Sequence, residues 1–280
     1  MDNTFQTTFE RHEKKYLLDE RQSRLIERYL ARVMTEDRHS GELVYSMYYD
    51  TPDHRIVERS LEKPLYKQKL RIRRYGKDQG AEGVAFVEIK KKFRGAGYKR
   101  RVPMTMQAAR EYLAGLSYES ATRRHPLSVG GQVLDGDGTY AQTLAEIDYA
   151  RRRLGVIEPA MEIVAWRTAF SDARPDGLRV TLDRRICWRI PRRRNPRVDG
   201  PVAGPVQERG LLLADDETLM EVKAPAAMPL RFVRLLSALE VRPTSFSKYG
   251  SAYRLAYDSP DASSGVARPS WAETQALQEC

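Results

Sequence analysis

The sequence predicts an α+β protein with an antiparallel sheet or closed barrel at its centre, and three observations carry that prediction. About eight runs alternate apolar and polar residues with period two, as half-buried strands do. The runs cluster in meander-like groups, separated by short turns rich in Gly, Asp and Lys, and do not alternate regularly with helices. A few runs with helical spacing flank the clusters, and there is no internal repeat at a fixed period.

The elements follow in order. Thr8 to Leu18 reads as a strand. Asp19 then caps a helix that runs to about Met34, with Leu25, Ile26, Tyr29, Leu30 and Val33 on one face. ELVYSMYYD, Glu42 to Asp50, is a strand stopped by Thr51-Pro52-Asp53, and a short helix follows around Arg55 to Leu61. Three strands come next, Leu65 to Tyr75, Val84 to Phe93 and Tyr98 to Pro103. Thr105 to Leu116 is helical, Ser117 to Gly138 is a loop, and Tyr140 to Arg153 is a helix. Further strands span Ala160 to Phe170, Leu178 to Arg189 and Thr218 to Lys223. The Pro/Arg/Gly-rich stretch between the last two is expected to be a mobile loop. Helices over Met228 to Leu239 and Ser247 to Tyr257 close one domain of residues 1–258, and residues 259–280 have the composition of a disordered tail.

The totals narrow the class. With 41% hydrophobic and 31% charged residues, the 280-residue chain is globular, and long enough for a real core. A net charge of +10 favours a polyanionic partner. Two cysteines, Cys187 and Cys280, give neither a disulfide framework nor metal-ligand spacing. The polar N-terminus is no signal peptide, and no apolar run approaches the roughly 18–20 residues of a membrane span. A cytoplasmic protein is expected.

The strand faces carry the chemistry. In KLRIRRYG, Leu70 and Ile72 take one face, while Lys69, Arg71 and Arg73 take the other, extended by Lys67. Arg11, Glu13 and Lys15 share a face, as do Phe86, Glu88, Lys90 and Lys92. Lys99 and Arg101 alternate with Arg100 and Val102. Arg179, Thr181 and Asp183 oppose Val180 and Leu182, Glu221 and Lys223 oppose Met220 and Val222, and Arg167 ends the alternating run MEIVAWR. On any one strand these are ordinary solvated residues. Across five or six strands they imply that one face packs helices and the other converges on a cationic tunnel or cleft, because crowded cations need an anion. The few carboxylates there, Glu13, Glu88 and Glu221, would hold a divalent metal against phosphate oxygens. Basic residues at strand period, opposite aliphatic ones, favour a narrow phosphate chain over nucleic-acid bases.

FERHEKKYLL, YYDTPD, KLRIRRYG, FVEIKKK, the pair of Arg167 with LRVTLD, LMEVKAP and SFSKYGSAYR follow one another in an order that resembles the VTC domain. That domain is the polyphosphate polymerase core of the vacuolar transporter chaperone complex and one of the triphosphate tunnel metalloenzymes. The resemblance covers roughly Phe9 to Tyr257. It implies an antiparallel eight-stranded tunnel that transfers the γ-phosphate of ATP to a growing polyphosphate chain, with Mn²⁺ or Mg²⁺. Carried over, Arg71, Arg73, Lys223 and Arg167 are the catalytic cations. Arg11, Lys15, Lys90, Lys99, Arg179, Ser247 and Lys248 bind substrate, and Glu221 binds the metal.

Two positions depart from related patterns. Hydrolytic members of the superfamily carry Glu-x-Glu-x-Lys where this chain has Arg11-x-Glu13-x-Lys15, which resembles the polymerase branch. The polymerase pattern has a lysine where this chain has Ser245. ATP and inorganic polyphosphate are thus the expected partners, with a separate membrane protein possible and no nucleic acid. The other readings are a module that holds polyphosphate or an inositol phosphate without turnover, and a tripolyphosphate hydrolase. Several residues are read as structural. Asp50 is a cap, Tyr48 and Tyr49 pack a turn, His12 faces away from the charged side, and Cys187 packs.

Overall fold

The structure is a computed structural model that describes residues 8–10, 12–37, 40–76, 80–94, 96–129, 132–133, 138–172, 177–191, 208–224 and 227–258. In chain order the elements are β1 (Thr8–Glu10), β2 (His12–Leu18), α1 (Glu20–Val33), β3 (Thr35–Glu36), β4 (Glu42–Asp50), α2 (Arg55–Leu61), β5 (Tyr66–Tyr75), β6 (Val84–Phe93) and β7 (Ala96–Thr105). Then come α3 (Met106–Leu113), α4 (Tyr118–Arg124), β8 (Ser128–Val129), β9 (Gln132–Val133), α5 (Ala141–Leu154), β10 (Glu158–Ser171) and β11 (Arg179–Ile190). The last are β12 (Glu208–Leu211), β13 (Thr218–Ala224), α6 (Leu230–Ala238), β14 (Pro243–Thr244) and α7 (Lys248–Tyr253), which runs into a π-helical turn, Arg254–Asp258. The protein is α+β, as expected. The chain forms two compact units, one holding residues 1–10, 45–162 and 191–205, the other residues 11–44, 163–190 and 206–280.

In the first unit the strands run in the order β1-β7-β6-β5-β4. The β5/β6 and β6/β7 pairs are antiparallel, the first from Tyr66↔Phe93 to Arg73↔Phe86 and the second over the whole of both strands. Period-two alternation puts Leu70, Ile72, Ala85, Val87, Ile89, Val102 and Met104 on one face. Ala108, Ala109, Tyr112 and Leu113 of α3, Ala121 of α4, and Ile147 and Ala150 of α5 pack against it in one core. Each buried aliphatic side chain contributes about 1.5–3 kcal/mol, enough to fix which face looks inward. Thr105 starts α3 by accepting the Ala108 N–H at 3.1 Å. Asp50 stays fully buried and accepts the N–H groups of Ile56 and Val57 at the start of α2, so the cap reading stands.

In the second unit β13 lies between β11 and β2, both antiparallel to it, and β2 also pairs β14. Tyr16, Leu18, Val180, Leu182, Met220 and Val222 form the core face. Ile26 and Leu30 of α1 and Phe232 and Leu236 of α6 cover it, with Tyr29 stacked on Phe232 at 5.9 Å between ring centroids. A capping box starts α1, in which Asp19 accepts from Gln22 N at 2.7 Å and Gln22 Oε1 accepts from Asp19 N at 3.0 Å.

Three expectations change. The segment Thr8 to Leu18 is two strands, β1 paired to β7 and β2 paired to β13. The expected loop from Ser117 contains a helix, because Ser117 accepts the Ser120 N–H at 3.1 Å and Ala121 is buried. The expected mobile loop ends in a strand, since Glu208 to Leu211 pair with Ile190 to Cys187. Residues 192–207 of that loop, Arg11 and the tail lie outside the described residues.

Candidate functional site

In each unit the sheet face opposite the core is charged. On the first unit the register arranges that face in rows. Lys67 lies opposite Lys92, Lys69 opposite Lys90, and Arg71 opposite Glu88. On the next strand Lys90 meets Lys99, and Glu88 meets Arg101. Lys67 and Lys92 thus share one row, which Gly97 completes, and Lys69, Lys90 and Lys99 fill the next, a pattern that costs free energy because like charges directly opposite repel. Burial deepens along the rows, from exposed Lys92 to Glu88 at 1% exposure.

Glu88 anchors the deep end. Arg71 donates to its Oε2 through Nε at 2.8 Å and Nη2 at 2.6 Å, a fork, and Lys99 Nζ reaches Oε1 at 3.3 Å. Arg71 also donates to the Tyr48 hydroxyl at 3.1 Å, and Arg73, 8% exposed, donates to Ser46 Oγ at 3.3 Å. Arg101 lies over the Phe86 ring at 4.5 Å. Burial alone would raise the Glu88 carboxyl, but Lys99, Arg71 and Arg73 outweigh it and hold Glu88 well below the carboxylate range. Burial, aided by Arg73, Arg71 and Arg101, pushes the Lys99 ammonium down to about 7 against the pull of Glu88.

The second unit places charges of both signs side by side. Glu221 lies opposite Lys15 on β2 and Thr181 on β11, while Lys223 lies opposite Glu13 and Arg179. Lys15 Nζ donates to the Phe246 carbonyl at 2.8 Å and stands 3.4 Å from Glu13 and 3.6 Å from Glu221. Lys248 Nζ bridges Asp183 at 2.6 Å and Glu221 Oε1 at 3.0 Å. Arg167 grips Asp183 with a fork at 2.6 and 2.6 Å, and its Nη2 lies 4.0 Å from Glu221 Oε2, with Lys223 at 3.9 Å. Arg179 pairs with Asp37 at 2.9 Å. Burial opposes ionisation of Glu221, yet Lys248, Lys15, Lys223 and Arg167 hold its carboxyl well below the usual range. Arg167 and Lys248 do the same for fully buried Asp183.

The residues predicted from sequence are thus distributed between the units. Arg71, Arg73, Glu88, Lys90 and Lys99 sit on the first, and Glu13, Lys15, Arg167, Arg179, Glu221, Lys223 and Lys248 on the second. Ser247 caps α7, its Oγ accepting the Gly250 N–H at 3.0 Å. Sequence reasoning missed Asp183, which positions Arg167 and Lys248, and Tyr48 and Ser46, which hold Arg71 and Arg73. For Asp183 the signal was present, since it shares the period-two face of Arg179. Cys187 is buried at 1% exposure.

Among the described residues no three His, Cys, Asp or Glu side chains gather closely enough to hold a metal. Glu88 already accepts from Arg71 twice and from Lys99, so an ion there would have to displace them. Glu221 fits in one way: Mg²⁺-like ions are usually bound by one or two carboxylates and otherwise by substrate phosphates. An ion there would take its remaining ligands from water and phosphate oxygens.

The VTC domain family matches residues 10–257. No curated protein matches the chain. Among solved structures, a Hippeastrum protein described as revealing a dominant triphosphatase activity aligns at 15% identity and TM-score 0.45, covering 90% of this chain and 98% of that one. A candidate adenylate cyclase of Vibrio parahaemolyticus aligns at 11% identity and TM-score 0.40, covering 89% and 99%. Among the described residues no helix is long and apolar enough to cross a membrane.

Proposed function

The chain belongs to the VTC domain family, and from that premise we propose that it is a cytoplasmic polyphosphate polymerase, a single domain of residues 1–258 that moves the γ-phosphate of ATP onto a growing polyphosphate chain. The observation that carries the reading is the pair of successive lysine rows, Lys67/Lys92 beside Gly97 and Lys69/Lys90/Lys99, opposite a normal apolar core. A fold holds such rows at a cost, and a linear chain of phosphates removes it along its whole length.

The chemistry asks for no protein nucleophile. The terminal phosphate of the chain attacks the γ-phosphorus, ADP leaves, and the protein supplies position and charge neutralisation. Arg71 and Arg73 hold phosphoryl oxygens at the deep end of the lysine rows. Lys15, Arg167, Arg179, Lys223 and Lys248 neutralise the reacting phosphates, with Asp183 fixing Arg167 and Lys248 so that little reorganises during transfer. Glu221 would hold Mn²⁺ or Mg²⁺, which when bound draws charge from the phosphoryl oxygens.

Incubation with ATP and Mn²⁺, primed by short polyphosphate, tests the reading. Long chains with ADP in matching amount are expected. Free phosphate without chains would replace the polymerase by a hydrolase. A second reading, a module that holds polyphosphate without turnover, is favoured by one observation: both Glu221 oxygens lie within 4.0 Å of cations already. Tight polyphosphate binding with no product would select it.

A further inference from the structure

Thr181 is 1% exposed, and its Oγ1 is buried without a hydrogen-bond partner. A buried hydroxyl left unsatisfied costs about 1–3 kcal/mol, so its retention asks for a reason. Its place supplies one. Val180 and Leu182 point into the core, so Thr181 shares the opposite face with Arg179 and Asp183. It lies directly opposite Glu221 in the β11/β13 register. Residues so paired have Cβ atoms roughly 4.5–5.5 Å apart, within reach of a hydroxyl and a carboxylate.

We infer that Thr181 is a positioning residue for Glu221: its hydroxyl takes up the Glu221 carboxylate when an entering phosphate draws away the lysines that hold it. This rests on the phosphate-binding reading above. Without phosphate, Glu221 Oε1 is served by Lys248 at 3.0 Å and Lys15 at 3.6 Å. Those ammonium groups are the donors a phosphate oxygen competes for. Once they turn to it, Oε1 of a carboxylate 8% exposed loses its closest partners, while Arg167 and Lys223 stay beside Oε2 at 4.0 and 3.9 Å, and a buried oxygen without a donor is expensive. The Thr181 hydroxyl, one strand away and uncommitted, can rotate to donate to it. The exchange moves hydrogen bonds only, and no proton or covalent bond changes hands.

The test uses the full chain and two variants, with sodium tripolyphosphate as the probe and no metal added. Thr181→Val keeps the shape and removes the hydroxyl, and Thr181→Ser keeps the hydroxyl. Calorimetric titration is expected to show Val binding tripolyphosphate about 3- to 10-fold more weakly than wild type, as for one lost hydrogen bond, with Ser near wild type. The ligand-free melting temperature of the Val variant is expected to be equal or higher, because the unsatisfied hydroxyl is gone. A lower ligand-free melting temperature with unchanged affinity would make Thr181 purely structural and overturn the inference. Unchanged affinity and stability would overturn it too. If wild type itself fails to bind tripolyphosphate, the phosphate-binding reading falls first and this inference falls with it.

Discussion

The two units solve the same electrostatic problem differently. On β5, β6 and β7 the charged face carries Lys67, Lys69, Arg71, Arg73, Lys90, Lys92, Lys99 and Arg101 against the single carboxylate of Glu88. On the second unit Lys15, Arg167, Arg179, Lys223 and Lys248 are interleaved with Glu13, Asp183 and Glu221. A face in large cationic surplus attracts a polyanion strongly and holds it with little preference for position. A nearly balanced face attracts less, but each cation is fixed by a carboxylate, and fixed charges are what phosphoryl transfer needs. On the proposed reading, the difference would give chain binding to the first unit and transfer geometry to the second.

The largest expected effect concerns the forks. Arg167→Ala leaves fully buried Asp183 with Lys248 alone, and Arg71→Ala leaves Glu88 paired with Lys99 alone. Breaking a buried pair from one side costs about 3–5 kcal/mol, so both variants should lose stability of that order in denaturant titrations. In the second unit Glu221 competes with Asp183 for Lys248, whereas Glu88 keeps both Lys99 and Arg73 nearby, so a larger loss in Arg167→Ala than in Arg71→Ala would sharpen the contrast. No loss in either variant would remove it.

A smaller effect lies in pH. Lys99 has a pKa depressed to about 7 by burial. Between pH 7 and its unfolded value the unfolded chain holds a proton that the folded chain lacks, so the stability contribution rises with pH there. Polyanion binding favours the charged form, so affinity for tripolyphosphate should fall as pH rises through 7. Lys99→Met should flatten both trends. A wild-type affinity that is level from pH 6 to 8.5 would exclude Lys99 from the binding face.

The smallest effect belongs to the exposed end of the rows. Lys92→Gln should weaken binding of long polyphosphate only a few-fold and make it less sensitive to salt, as expected for a screened surface charge. If it weakens tripolyphosphate as much as the long chain, the rows do not form a track.

Much of this was legible in the sequence because period-two alternation assigns each strand residue to a face without tertiary information. Leu70 and Ile72 against Arg71 and Arg73, and Val180 and Leu182 against Arg179 and Asp183, fall where the pattern puts them. What the pattern cannot give is who meets whom across strands. The Glu88 fork depends on the β5/β6 register, and the Lys248 bridge joins residues far apart in the chain. The helix at Tyr118–Arg124 was hidden because it is short and starts in a polar, turn-like stretch, with only the Ser117 cap to announce it. The strand at Glu208–Leu211 was hidden by a Pro/Gly-rich approach.

The division between a binding face and a transfer face is tested most directly by Glu221→Gln. Polyphosphate affinity and ADP formation from ATP and Mn²⁺ should be measured on the same preparation. The account predicts affinity within a few-fold of wild type, because the lysine rows are untouched, and loss of ADP and polymer formation. Wild-type turnover in this variant, or loss of polyphosphate binding, would contradict it.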